Sequence, residues 1–187
     1  VPNSRFRTEG DGNWQDYRNF GSTVTLPAGI HVLKLYYDFA NYNLRFMSFL
    51  PDNRPFPVPG NIPCEEFNQG GEGVGYHDNS TSHDGPGGNA GYRLDEHVGI
   101  EQNKVGGGYD IGWTSDGEWL KYDINVLRTG DYSLAVRVGS PNPPNGGNRF
   151  HVEIDGDDVT GAMTCPNTGG WQNWTDIVSP RTIHLTK

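Results

Sequence analysis

Two pairs of carboxylates stand close enough along the chain to raise acid–base chemistry. Asp116 and Glu118 are two residues apart, and in an extended segment side chains at i and i+2 share a face. A glycosidase works with two carboxyl groups about 5–9.5 Å apart across a cleft, so this is the pair to weigh. Glu65 and Glu66 are adjacent and point to opposite faces if extended. The six histidines form no H-E-x-x-H pattern, and no G-x-S-x-G elbow occurs. Gly106-Gly107-Gly108 is followed by neither G-K-[ST] nor a helical pattern, so it is no phosphate cradle. Cys64 and Cys165 have no C-x-x-C spacing and supply no zinc site; a disulfide between them stays open. The abundant chemistry is aromatic: 5 Trp, 9 Tyr and 8 Phe.

These side chains sit in a chain of 187 residues, room for one domain or one and a half. Fourteen Lys and Arg against 23 Asp and Glu leave a net charge of −9. That sign argues against a nucleic-acid backbone and against an anionic membrane surface, both of which need cationic patches. No run of 18 apolar residues occurs, so no membrane span is expected, and residues 1–10 contain no apolar signal-peptide core. Hydrophobic content is only 33%, which taken alone would fit disorder. The rings argue otherwise, since each can bury roughly 150–250 Å². With 27 glycines and no amphipathic helical stretch, the composition describes an all-β domain.

The elements that must position the aromatics are short. Thr23–Leu26, Ile30–Tyr36, Leu44–Phe49, Trp119–Val126, Asp131–Val138, Phe150–Ile154 and Thr182–Leu185 are β-branched or aromatic runs bounded by Gly, Pro, Asn or Asp. Asp155-Gly156-Asp157 sits where a hairpin would reverse. The class is a β-sandwich. Residues 51–61 are proline-rich and read as a stiff linker, able to span roughly 36 Å at about 3.3 Å per residue. They divide the chain into residues 1–50 and 62–187, and the shorter piece is too small for a core of its own.

Internal repetition accounts for the short piece. Val1-Pro2-Asn3-Ser4 resembles Cys165-Pro166-Asn167-Thr168, Gly12–Tyr17 resembles Gly169–Trp174, and Thr23–Leu26 resembles Thr182–Leu185. The chain therefore reads as the closing strands of one module copy, a linker, and a second copy without its final strands. The N-terminal strands would complete the sandwich, within the chain or by domain swap into a homodimer.

Ile62–Phe67 (IPCEEF), Gly70–Asp78 (GGEGVGYHD), Gly112–Tyr122 (GWTSDGEWLKY), Cys165–Trp174 (CPNTGGWQNW), Leu26–Val32 (LPAGIHV) and Asn43–Phe46 (NLRF) resemble, block by block, the family 6 carbohydrate-binding modules. The resemblance implies a jelly-roll β-sandwich that is not an enzyme, which makes Asp116 and Glu118 solvated turn acids. It implies a polysaccharide ligand and, as partner, a parent glycoside hydrolase in a secreted protein. A sugar ring presents an apolar C–H face and a hydroxyl rim, so its site needs flat aromatic platforms and a few amide or carboxylate groups. Carried over residue by residue, the platforms are Trp113 and Trp171, the amide is Asn43, and Tyr76 and His77 edge the cleft. Trp14 duplicates Trp171, and Trp119 would mark a second cleft on the sheet face. The expected ligand is a β-glycan, with β-1,3-glucan favoured over xylan or cello-oligosaccharide. A strand-swapping assembly domain without a sugar site is the rival.

Members of that family hold a structural calcium with first-strand acids and a residue of the closing strand. Here Glu65 is the matching acid, but Pro63 replaces the first polar ligand and Arg45 stands where Asn or Asp is common. The resemblance thus leaves two arrangements: calcium at Glu65 with backbone carbonyls, or an Arg45–Glu65 ion pair in its place.

Overall fold

Short apolar runs closed by turn residues make short strands, and the computed structural model shows them. It describes residues 24–36, 47, 54–81, 92–93, 96–142 and 148–187. In chain order the strands are β1 (Phe56–Val58), β2 (Tyr76–His77), β3 (Ile100–Gln102), β4 (Tyr109–Ile111), β5 (Trp119–Leu120), β6 (Ile124–Val126) and β7 (Gly130–Tyr132). They continue with β8 (Ala135–Val138), β9 (Arg149–Phe150), β10 (Glu153–Ile154), β11 (Asp157–Asp158), β12 (Met163–Thr164), β13 (Thr175–Val178) and β14 (Ile183–Leu185). Among the described residues the only helical element is a 3-10 turn at Cys64–Glu66, and no helix is long and apolar enough to cross a membrane. The all-β class expected from the sequence is the observed one.

The chain divides into two compact units. The described part of the first takes in 24–36, 47, 67–81, 92–93, 96–102 and 109–121; that of the second takes in 54–66, 103–108, 122–142 and 148–187. In the first unit β2 pairs with β5 and β3 with β4, both antiparallel. Its core is built from Phe67, Tyr76, Val98 and Ile100, all buried, with the Phe67 and Tyr76 rings edge to face at 5.5 Å. Arg93 and Glu96 are buried beside them. The Arg93 guanidinium lies 3.4 Å from the Phe67 ring centroid, pairs with the Glu96 carboxylate, and donates to the Phe67 carbonyl at 2.5 Å.

In the second unit the β13–β8, β14–β7 and β12–β9 ladders and the β10–β11 hairpin are antiparallel, while β1 runs parallel to β6. Side chains alternate along them as a one-face-buried sheet requires. Val136 and Val138 of β8 face inward with Ile177 of β13, while Arg137 and Asp176, paired in register, form a two-pronged ion pair at 2.8 and 3.2 Å on the exposed face. The hairpin turn is the one read from Asp155-Gly156: both residues have positive φ, 54° and 91°. A tight reversal of this hand needs that conformation at both positions, and Asp-Gly supplies it cheaply.

Three expectations are corrected. Residues 51–61 are not all linker, because Phe56–Val58 forms β1 and pairs in parallel with β6. Its ladder bonds run from Phe56 N–H to the Asp123 carbonyl at 2.8 Å and from Leu127 N–H to the Val58 carbonyl at 2.9 Å. They flank Pro57, whose missing donor is therefore no loss. The runs Trp119–Val126 and Asp131–Val138 each split into two strands that pair with different partners. Residues 24–26 and 30–36, expected as strands, form no ladder among the described residues; a β pattern becomes a strand only where an edge accepts it.

Candidate functional site

The β3–β4 ladder delivers the chain into the loop that carries Trp113. Gly112 N–H donates to the Gly99 carbonyl at 2.9 Å, the last bond of that ladder. The next residue, Trp113, has φ 54° and is 42% exposed. A bulky side chain in the left-handed region is an outlier whose cost, about 1–3 kcal/mol, is borne where the surroundings over-determine it. Such residues gather at ligand sites, so the strain itself marks Trp113.

The same unit holds a cross-strand ring pair. His77 of β2 is in register with Trp119 of β5, their rings 6.3 Å apart and tilted by 39°. The indole of Trp119 is 42% exposed. His77 Nδ1 lies 2.5 Å from Glu72 Oε1, while Glu72 Oε2 accepts the Asp78 N–H at 2.9 Å. That hydrogen bond raises the His77 pKa above its ordinary 6.5 and lowers that of Glu72 below 4.5, with smaller help from the charges themselves. The His77 contribution to stability is whole below 6.5 and is lost as pH rises through the raised value; the Glu72 contribution is whole above 4.5 and is lost as pH falls through the lowered one. An NMR titration of His77 is therefore expected to show its midpoint above 6.5, and Glu72→Gln should return it to the ordinary range. A midpoint unmoved by that substitution would dismiss the pair.

Tyr76, expected at the rim of the cleft, is instead in the core at 2% exposure. Its ring packs edge-on against Phe67, and its hydroxyl accepts the His97 N–H at 3.1 Å. Alternation along β2 sends His77 outward and Tyr76 inward.

In the second unit Trp171 is 60% exposed. Its loop is held from both sides. Thr168 N–H donates to the Ser140 carbonyl at 2.7 Å, and Gln172 Oε1 accepts the Lys104 N–H at 3.1 Å. Gly139 packs so closely beneath this loop that a Cβ there would stand 2.6 Å from the Trp171 carbonyl oxygen. Glu65 is half-buried in the 3-10 turn, its Oε1 beside Gly108. Among the described residues no three His, Cys, Asp or Glu side chains converge. A calcium ion at Glu65 would draw its other oxygens from backbone carbonyls or from residues outside those described. Asn43, Trp14 and Arg45 lie outside the described residues. Cys64 is exposed and Cys165 buried, and no disulfide joins the two.

The family model of the carbohydrate binding module (family 6) matches residues 91–184, half of the chain, and takes in Trp113, Trp119 and Trp171. The chain belongs to this family. As a carbohydrate-binding module it is non-catalytic and of β-sandwich class, and its partner class is carbohydrate. The module is 34% identical over 79 residues to the clotting factor G alpha subunit of Tachypleus tridentatus, covering 41% of this chain and 11% of that one. It is 25% identical over 146 residues to the beta-agarase AgaA of Microbulbifer thermotolerans, covering 78% of this chain and 29% of that one. The chain thus spans less than a third of either relative. Among solved structures it is similar to the carbohydrate binding module CBM6cm-2 from Cellvibrio mixtus lichenase 5A in complex with cellotriose, at 35% identity over 48% of this chain and 68% of that one, with TM-score 0.39.

Within the module, sequence reasoning passes over Glu72 and Asn79 and sets Glu118 aside as a solvated turn acid. Glu118 instead binds two backbone N–H groups, one of them on Asn79. Residues 79 and 118 are 39 positions apart, so no local pattern could have joined them. Glu72 and His77 are five apart in a loop where no regular period applies.

Proposed function

We propose that the module binds a β-glycan, with Trp113 and Trp171 each serving as a sugar-stacking platform and Asn43 as a hydrogen-bonding amide, and that β-1,3-glucan is the favoured ligand. The observation that carries this reading is Trp113, held outward in a left-handed backbone inside the family-matched segment. Sugar C–H faces suit an exposed indole, each stack giving about 0.5–1.5 kcal/mol beyond burial. His77 and Trp119 offer a second aromatic surface on β2–β5. We propose further that the chain is secreted and targets an attached glycoside hydrolase, as its similarity to part of a beta-agarase supports. Calcium at Glu65 belongs to the same proposal.

The choice of β-1,3-glucan rests on the habit of the family, with xylan and cello-oligosaccharide next. The β-agarase relative, matched over 78% of this chain, favours an agar-type galactan as a second reading. Native affinity electrophoresis against laminarin, xylan, barley β-glucan and agarose separates them. Retardation in the laminarin gel alone is the expected result, and retardation in agarose alone would replace it with the galactan. Retardation in none would favour assembly instead, with the exposed apolar residues Ile30, Val32, Leu33 and Leu35 docking as a strand on a second copy.

A further inference from the structure

We infer that Glu118 is the positioning residue that holds Trp113 in its outward, left-handed conformation, working together with Asn79. The inference rests on the reading of Trp113 as a sugar platform. The loop of residues 112–118 has two fixed points. One is the Gly112 N–H bond to the Gly99 carbonyl at 2.9 Å. The other is the Glu118 carboxylate: Oε2 accepts the Ser115 N–H at 2.7 Å and Oε1 accepts the Asn79 N–H at 3.1 Å. Glu118 N–H in turn donates to the Ser115 carbonyl at 3.3 Å, and the Asn79 side-chain amide donates to the Asp116 carbonyl at 2.9 Å. Trp113 lies between these points at φ 54°.

A strained residue stays strained only while its flanks cannot relax. Here the flank nearest the ladder is fixed by the sheet, and the far flank is fixed by one carboxylate that uses both of its oxygens on backbone donors. Charge-assisted bonds of this kind are the stronger sort. Glutamine keeps one acceptor oxygen and turns an NH₂ donor toward the second backbone N–H, so one bond is lost and two donors face each other. Asn79→Ala removes only the bond to the Asp116 carbonyl and is the milder perturbation.

The test joins two measurements on the full chain. In ¹⁵N-tryptophan-labelled protein, the Trp113 indole N–H resonance is identified by its loss in Trp113→Ala. Glu118→Gln is expected to shift it while leaving the indole resonances of Trp171 and Trp174 in place, and Asn79→Ala is expected to shift it less. Laminarin affinity should fall about fivefold or more in Glu118→Gln, and should fall no further when that substitution is added to Trp113→Ala. A resonance unmoved by Glu118→Gln overturns the inference whatever the glycan. Equal losses of affinity in the parent and the Trp113→Ala backgrounds also overturn it, since Glu118 would then act elsewhere. If the resonance moves but Trp113→Ala binds laminarin as the parent does, positioning by Glu118 stands and the platform role of Trp113 falls.

Discussion

Trp171→Ala is expected to weaken glycan binding about 30- to 150-fold while leaving thermal stability nearly unchanged. The indole is 60% exposed, so its removal opens no cavity in the core, and surface changes of that kind stay within about 0.5 kcal/mol. Binding is another matter. A sugar stacked on the ring gains the stacking term of about 0.5–1.5 kcal/mol and the burial of apolar surface on both partners. A combined loss of about 2–3 kcal/mol converts to the stated range at 1.4 kcal/mol per tenfold. For a module whose whole affinity is about 4–8 kcal/mol, such a loss removes detectable binding at the millimolar end and leaves a dissociation constant of about 30–150 μM at the micromolar end. Trp171→Phe keeps a flat ring and should recover much of it. Titration calorimetry beside a thermal melt decides the matter: affinity retained in Trp171→Ala would remove this residue from the site, and a large fall in melting temperature would assign it to the fold.

The largest effect on stability is expected from Glu96→Gln. Arg93 is 9% exposed and Glu96 6%, and the guanidinium is enclosed by the Phe67 ring, the Phe67 and Asn68 carbonyls, and the Glu96 carboxylate. Glutamine takes the Glu96 negative charge away from a buried cation, and breaking a buried pair from one side costs about 3–5 kcal/mol. Much of a small domain's stability is of that size. Replacing both partners, Arg93→Met with Glu96→Leu, removes the charges together and should be less damaging than Glu96→Gln alone. Denaturant midpoints of the single and double variants check this. A double variant worse than the single one would mean that the carbonyl contacts of Arg93, rather than its charge balance, hold the first unit. Trp113, His77 and Trp119 belong to the same unit, so Glu96→Gln should also lower binding in proportion to the fraction unfolded.

Much of the chain is legible in local terms because the signals that govern it are local. Strand character follows from β-branched and aromatic runs, and turn character from Gly, Pro and Asp, whose backbone preferences travel with the residue. Hence the all-β class and the Asp155-Gly156 reversal follow from the amino-acid sequence by itself. So does the outward placement of Trp113 and Trp171 beside glycine-rich loops, together with the motif blocks that carry the family. Tertiary structure decided what depends on distant partners. Pairing in a sheet is a contract between segments far apart in sequence, so Phe56–Val58 became a strand in a stretch that reads locally as a linker, and long apolar runs were cut where their partners change. Burial likewise belongs to neighbours rather than to residue type: Tyr76 went inward and His77 outward only because β2 lies with one face on Phe67 and His97. The Arg93–Glu96 pair and the Glu118–Asn79 contact had no sequence signature, because charged side chains read as solvated until packing brings a core ring or a backbone N–H to meet them.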